Sequence, residues 1–171
     1  NFVSSHALAA VGQSTSIINM LVGFFMGLST GAGVVIAQYF GAKEIKKMQD
    51  SIHTSLALTL VLCVLFTFLG IILARPILDM IGSPREVLPL AVTYLQIYFA
   101  GVSFALIYNM GAGILRALGD SKNPLIYLVV SSLVNIVLDF IFVIYFDLGV
   151  AGVGIATTLA QLVSAILVMH E

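Results

Sequence analysis

Asn135-Ile136-Val137-Leu138-Asp139 lies inside residues 125–146, a strongly apolar run with no other charged side chain. A run of that length can cross a membrane as a helix, because a hydrocarbon layer about 30 Å thick needs roughly 20 residues. A carboxylate at the centre of such a helix costs about 2.5–3.5 kcal/mol on insertion scales. An acid placed there is therefore a functional-site hypothesis, and this stretch indicates both the fold class and the site.

A polar face runs along the predicted helix. Asn135 precedes Asp139 by one helical turn, so both side chains lie on the same face. Ser131 and Ser132 extend this face by another turn. We interpret the face as one that borders a cavity, binds a cation and drives transport. The alternative is that Asp139 and Asn135 hydrogen bond between helices and only hold the bundle together.

The composition excludes a soluble fold. Of the 171 residues, 60% are hydrophobic and 9% are charged, and the mean hydropathy is +1.13. Soluble domains average about 25% charged residues. The charged side chains cluster between apolar runs, and the only cysteine, Cys63, lies within one of them. We interpret Cys63 as a packed membrane residue and expect no cofactor and no nucleic-acid partner.

The apolar runs predict an all-α, polytopic transmembrane bundle of about five spanning helices, near residues 14–40, 51–74, 84–115, 124–146 and 150–169. Gly23, Gly27 and Gly31 recur every four residues in the first run and predict a face where another helix packs closely. The last run opens with a similar face of small residues: Gly152, Gly154, Ala156 and Ala160.

Start and stop signals mark the helix ends. Arg75-Pro76 is expected to end the second helix. Ser83 and Glu86 have the spacing of a capping box for the third helix, and Asn123 precedes a proline at the first position of the fourth.

The basic residues indicate the orientation in the membrane. One side holds Arg75 and Arg85, whereas the other holds five basic residues: Lys43, Lys46, Lys47, Arg116 and Lys122. The positive-inside rule makes the second side cytoplasmic. The first helix then enters from outside, which suggests that one more spanning helix precedes Asn1.

Thr157 is predicted to face Asp139. Asp139 lies nine residues before Leu148 and Thr157 lies nine after it, so each is about 12–14 Å below the outer turn. Carboxylate, amide and hydroxyl oxygens are hard ligands that suit sodium at Asp139, Asn135 and Thr157. Burial also disfavours the ionised form of Asp139, which suits a proton carrier equally.

Several stretches together resemble the first lobe of a multidrug and toxic compound extrusion (MATE) transporter. They are ALAAVG at residues 7–12, AQYFGA at 37–42, RALGDSKNP at 116–124, NIVLD at 135–139 and GVAGVGIAT at 149–157. Their order and spacing cover nearly the whole chain.

The resemblance implies a twelve-helix transporter of two six-helix lobes that exports organic compounds in exchange for protons or sodium. Residues 1–171 would form a partial N-terminal lobe, with the first helix and the second lobe absent. The family's cation site matches Asn135, Asp139 and Thr157, and Tyr94 matches a tyrosine of the same network. The site also uses an aspartate on the first helix, which has no counterpart here. The expected partners are membrane lipid, a small organic substrate and the missing parts of the transporter, in the plasma (inner) membrane of a prokaryote.

Three other functions are compatible with a membrane bundle. A lipid-linked sugar flippase of the same superfamily is favoured by basic residues inside the membrane, and the sequence shows none. An intramembrane aspartyl protease needs two neighbouring carboxylates, but Asp120 lies roughly 28 Å from Asp139 along the helix. We therefore expect no enzyme activity. If the protein is a non-transporting scaffold, Asp139→Asn should have no effect in transport and cation-binding assays on the full protein.

We predict that residues 43–47 and 116–122 are cytoplasmic, because basic residues are retained on that side. Lys43→Cys and Lys122→Cys should not react with a membrane-impermeant thiol reagent added to intact cells. Arg85→Cys, on the opposite side, should react. Labelling of either lysine position from outside would contradict this orientation.

Overall fold

The computed structural model describes residues 5–171, which form five long helices. These are α1 (Ser5–Gly41), α2 (Ile45–Met80), α3 (Leu88–Ala117), α4 (Lys122–Asp139) and α5 (Gly149–Met169). A π-helical segment, Phe140–Tyr145, continues α4 and completes its span. All five spans are long and apolar enough to cross a membrane. The predicted all-α bundle of five spanning helices is confirmed.

Helix α3 is the centre of the bundle. It packs along α1, α2 and α5, whereas α4 packs mainly against α5. Large side chains of α3 are buried, among them Leu95, Tyr98 and Leu106. This central position places the polar residues of α3 against protein rather than lipid.

Polar side chains of α3 hydrogen bond to the neighbouring elements. Gln96 Nε2 donates to the carbonyl of Ile71 on α2 at 3.2 Å. Tyr108 Oη donates to the carbonyl of Pro124 on α4 at 2.8 Å. The thiol of Cys63 packs against the carbonyl of Ser103 at 3.6 Å, as expected for a packed membrane residue. In hydrocarbon such partners replace the water that these groups would otherwise bind.

The first two helices are longer than predicted. α1 is already helical at Ser5, the first described residue, because Ala10 and Ser14 are fully buried and continue the helical packing pattern. The predicted loop of residues 41–50 shortens to residues 42–44, with Lys43 at φ 58°. Pro76 does not end α2, which continues to Met80 because Leu78 is anchored in the core. Spanning helices tolerate proline where neighbouring groups compensate the lost hydrogen bond.

Two predicted helix starts were wrong in detail. α3 begins at Leu88, and residues 84–87 form a turn in which the carbonyl of Pro84 accepts from the amides of Val87 and Leu88. The start of α4 is capped by Asp120, which accepts from the backbone amides of Lys122 and Asn123 at 3.0 Å. A carboxylate there neutralises two amide groups that the helix leaves unpaired.

The close contacts between helices do not involve the three glycines that were predicted to pack on α1. A Cβ at Gly23, Gly27 or Gly31 would have no atom within 4 Å, so the predicted packing face is open among the described residues. A Cβ at Gly113 of α3 would instead lie 2.9 Å from the Ser29 carbonyl oxygen, and one at Gly101 would collide with Thr158. The small face of α5 is buried as predicted. Close packing therefore lies along α3 and α5.

We predict that Gly113→Ala destabilises the protein by about 1–3 kcal/mol, because a methyl group there forces α1 and α3 apart. Gly23→Ala is the matched control, since its methyl group meets no described atom. Thermal unfolding of the purified full-length protein in detergent should show a lower Tm for Gly113→Ala only. Equal melting of the two variants would contradict the packing described for α3.

Candidate cation site

Asp139 and Asn135 lie on the protein-facing side of α4. Both residues are partly buried, whereas Ile136 and Val137 between them are more than half exposed. Asp139 Oδ1 and Asn135 Nδ2 are fully shielded and have no hydrogen-bond partner among the described residues. Ser131 extends this face and is buried, but Ser132 is exposed and bonds to its own helix. The polar face therefore consists of Ser131, Asn135 and Asp139.

Tyr94 is the residue of α3 that lies near the polar face of α4. It is 6% exposed and lies against α5, where a Cβ added to Gly154 would be 3.3 Å from Tyr94 Cδ2. Tyr94 interacts electrostatically with Asp139, and its hydroxyl lies within hydrogen-bonding reach of the Thr157 side chain. Tyr94, Asp139 and Thr157 thus lie near one another where α3, α4 and α5 meet, and Asn135 lies one turn from Asp139 on the same face of α4.

The hydroxyl of Thr157 is already oriented by its own helix. Thr157 Oγ1 donates to the Val153 carbonyl at 2.9 Å, a bond that threonine commonly makes inside helices. Its proton is thereby engaged, and its oxygen lone pairs remain available to accept from Tyr94 or to coordinate a cation.

Asp139 stands at the junction between α-helix and π-helix. It is the last residue of α4, and the π-helical segment begins at Phe140. The wide turn ends with Phe146 N bonding to Ile141 O at 3.1 Å and Leu148 N bonding to Phe142 O at 3.0 Å. π-Helical segments often lie at functional sites. Nothing in the sequence predicts this segment, because residues 140–145 contain neither glycine nor proline.

Two further polar side chains lie one turn away. Tyr98 Oη and Gln161 Oε1 are fully shielded and complete no hydrogen bond among the described residues. The two side chains are close enough to interact, and Tyr98 also interacts with Tyr94. Sequence reasoning did not select this pair, although Gln161 follows Thr157, and Tyr98 follows Tyr94, at the four-residue spacing of a helix face.

These shielded atoms share one location in the bundle. Within the described part of the chain, four buried side-chain atoms lack a partner: Tyr98 Oη, Asn135 Nδ2, Asp139 Oδ1 and Gln161 Oε1. All four belong to the space between α3, α4 and α5. Leaving one such group unpaired costs about 1–3 kcal/mol, so a cluster of them marks a place that suits a polar ligand.

The ligand set suits a hard monovalent cation. One carboxylate is accompanied by the neutral oxygens of an amide, a hydroxyl and a phenol. No group of three His, Cys, Asp or Glu side chains able to hold a metal ion occurs among residues 5–171. Nitrogen and sulfur ligands of the kind that zinc and copper prefer are therefore not gathered here. A single negative charge can be neutralised by one proton or one sodium ion.

The chain resembles known bacterial proteins over nearly its full length. It is 35% identical over 161 residues to the probable multidrug resistance protein YpnP of Bacillus subtilis, covering 94% of this chain and 36% of YpnP. It is 28% identical over 170 residues to the multidrug export protein MepA of Staphylococcus aureus, again covering 36% of that protein. The chain thus spans about a third of the length of these relatives.

Solved structures give the same result. An inward-facing structure of a multidrug resistance MATE family transporter matches with a TM-score of 0.92 and 30% identity, over 96% of this chain and 38% of that one. An outward-facing structure matches with a TM-score of 0.93 and 30% identity, over 98% and 37%. The MatE family itself matches residues 1–141. The chain therefore belongs to the MatE family of integral, multi-pass membrane transporters.

Proposed function

We propose that this chain is the cation-binding part of a secondary active antiporter that exports organic compounds in exchange for protons or sodium. The observation that carries the proposal is the shielded, unpaired carboxylate oxygen of Asp139 inside a membrane-spanning helix. Asn135, Thr157 and Tyr94 supply the neutral groups around it. The relatives named for multidrug resistance and export support an organic substrate.

Coupling follows from the cost of the charge on Asp139. An ionised carboxylate surrounded by helices and lipid is unfavourable, so it favours either a proton or a sodium ion. Binding neutralises the site and changes how tightly α4 can pack against α3 and α5. A cation gradient thereby biases a two-state element, which is the requirement for driving an uphill export step. The lobe matches both inward-facing and outward-facing relatives, which supports movement of the lobe as a unit.

The rest of the transporter belongs to the proposal. Residues 1–171 form a partial N-terminal lobe, and a second lobe completes the path for a small organic substrate. Lipid surrounds the exposed apolar surfaces of α2 and α4. The membrane is the plasma (inner) membrane of a prokaryote, a proposal supported by relatives that come from Bacillus subtilis. The basic side chains of the described spans lie near helix ends, which gives no support to binding of a charged headgroup within the bundle.

We expect Asp139→Asn in the full-length protein to abolish gradient-driven export while leaving the protein folded. The amide keeps the volume of the carboxylate but neither titrates nor carries a charge. Efflux of a fluorescent organic cation from proteoliposomes, with pH and sodium gradients imposed separately, measures the coupling and identifies the ion. Melting in detergent checks the fold.

Normal gradient-driven export by Asp139→Asn would contradict the proposal and favour a different site or a scaffold. Asp120→Asn is a control for the loss of a carboxylate, because Asp120 caps α4 at the opposite end of the helix. We expect this variant to lower the melting temperature without removing coupling.

Thr157→Ala should weaken coupling less than Asp139→Asn does. A lost neutral hydroxyl corresponds to about 0.5–1.5 kcal/mol, a roughly threefold to tenfold weaker apparent affinity for the coupling cation. Thr93→Ala is the matched control, because Thr93 is exposed and donates only to Pro89 of its own helix. If Thr157→Ala and Thr93→Ala changed the cation dependence of efflux equally, Thr157 would not be a ligand of the site.

A further inference from the structure

Tyr98 and Gln161 form a buried polar pair that the proposed site does not use. Tyr98 is 2% exposed and belongs to the main apolar core, where a hydroxyl without a partner is costly. Gln161 presents its shielded carbonyl oxygen from α5. If the two side chains served only for packing, phenylalanine in place of Tyr98 and leucine or methionine in place of Gln161 would avoid the cost of unpaired polar atoms. The polar atoms of Tyr98 and Gln161 are therefore candidates for binding a ligand.

Tyr98 and Gln161 each lie one helical turn from a residue of the proposed site on the same helix. On α3 the step leads from Tyr94 to Tyr98, and on α5 it leads from Thr157 to Gln161. On α4, which runs in the opposite direction, the corresponding step leads from Asp139 back to Asn135. All three steps therefore go toward the same side of the membrane.

The polar groups thus form two layers. The outer layer contains Asp139, Thr157 and Tyr94, and the inner layer contains Asn135, Gln161 and Tyr98. Asn135 and Gln161 each lie thirteen residues from Leu148, which places them at equal depth on the packed helices α4 and α5.

Among the described residues, the unpaired polar atoms of α3 and α5 end at the inner layer. One turn beyond Tyr98 on α3 lies Val102, which is fully buried, and one turn beyond Gln161 on α5 lies Ala165, which is 3% exposed. The next buried polar residue on α5, Ser164, is already paired, because its hydroxyl donates to the Gln161 backbone carbonyl at 2.8 Å. Among the described residues, Tyr98 and Gln161 are therefore the innermost side chains of α3 and α5 that keep a shielded, unpaired atom.

We propose that Tyr98 and Gln161 hold a water that completes the coordination shell of the coupling cation, so that the cation is bound in a partly hydrated form. The inference rests on the proposed antiport function and extends its site. The Tyr98 and Gln161 side chains lie within reach of each other, yet neither Tyr98 Oη nor Gln161 Oε1 completes a hydrogen bond, and a buried water commonly serves such unpaired groups. The water in turn offers its oxygen to the cation held by Asp139.

The chemistry assigns different tasks to the two layers. Asp139 supplies the only charge, so it decides whether a cation binds. Tyr98 and Gln161 are neutral positioning residues, and they determine how tightly a cation with its water is held. Their loss should weaken cation affinity without removing the coupling itself.

The test uses the full-length transporter in proteoliposomes and varies the concentration of sodium, because a coordination shell requires a metal cation; efflux driven by the proton gradient alone would overturn the inference. We expect Tyr98→Phe and Gln161→Met each to raise the apparent KM for that cation about tenfold, while the maximal efflux rate stays within about twofold. The double variant should exceed the larger single effect only slightly, because both side chains hold the same water.

Matched controls separate this role from packing. Tyr108→Phe removes a hydroxyl that donates to Pro124, and Gln96→Met removes an amide that donates to Ile71. Both controls should leave the KM for the cation unchanged. Melting in detergent should show all four variants folded, and Gln161→Asn replaces Gln161→Met if the latter does not fold.

An unchanged KM in Tyr98→Phe and Gln161→Met, or an equal rise in the controls, would overturn the inference. That outcome is distinguishable from failure of the proposed function, which is tested by Asp139→Asn. Asp139→Asn could abolish coupling while the KM of the inner-layer variants stays unchanged. That result would support the cation site at Asp139 and contradict a water held by Tyr98 and Gln161. Coupling that survives Asp139→Asn overturns both.

Discussion

The close approach of α3 to its neighbours is the constraint on which the rest of the bundle depends. Gly101 and Gly113 leave room on α3 for Thr158 and Ser29, and Gly154 leaves room on α5 for Tyr94. Without side chains at these positions, the backbones come near enough for direct polar contacts between helices. Ser29 Oγ donates to the Asn109 carbonyl at 2.6 Å, and Thr158 Oγ1 lies 3.4 Å from the Ile97 carbonyl.

The same close packing creates the candidate site. Because α5 lies tightly against α3, Thr157 and Tyr94 are brought together, and Gln161 meets Tyr98 one turn further along. α4 then supplies Asp139 and Asn135 from its protein-facing side. The remaining surfaces of α2 and α4 are covered with large apolar side chains, as a lipid environment requires. Polar groups are thus concentrated where three helices exclude lipid.

The unpaired atoms between α3, α4 and α5 contrast with the polar side chains elsewhere in α3. Gln96, Ser103 and Tyr108 contact neighbouring helices and stabilise the bundle. Asp139, Asn135, Tyr98 and Gln161 each keep a shielded atom without such a bond. Within one bundle, the first group serves helix packing and the second remains available to a ligand. This difference is a physical reason to place the site between α3, α4 and α5.

The sequence by itself determined the membrane class, the five spans and the residues Asn135, Asp139 and Thr157 as candidates, whereas Tyr94 was a candidate only through the family resemblance. Hydropathy, helical spacing and equal depth are local properties, so they can be read from the chain. Only the tertiary structure decided which glycines are packed, that Pro76 lies within α2, that a π-helical segment follows Asp139, and that Tyr98 and Gln161 face each other. These features depend on which helices become neighbours, because the same glycine or polar residue is open on one face and enclosed on another.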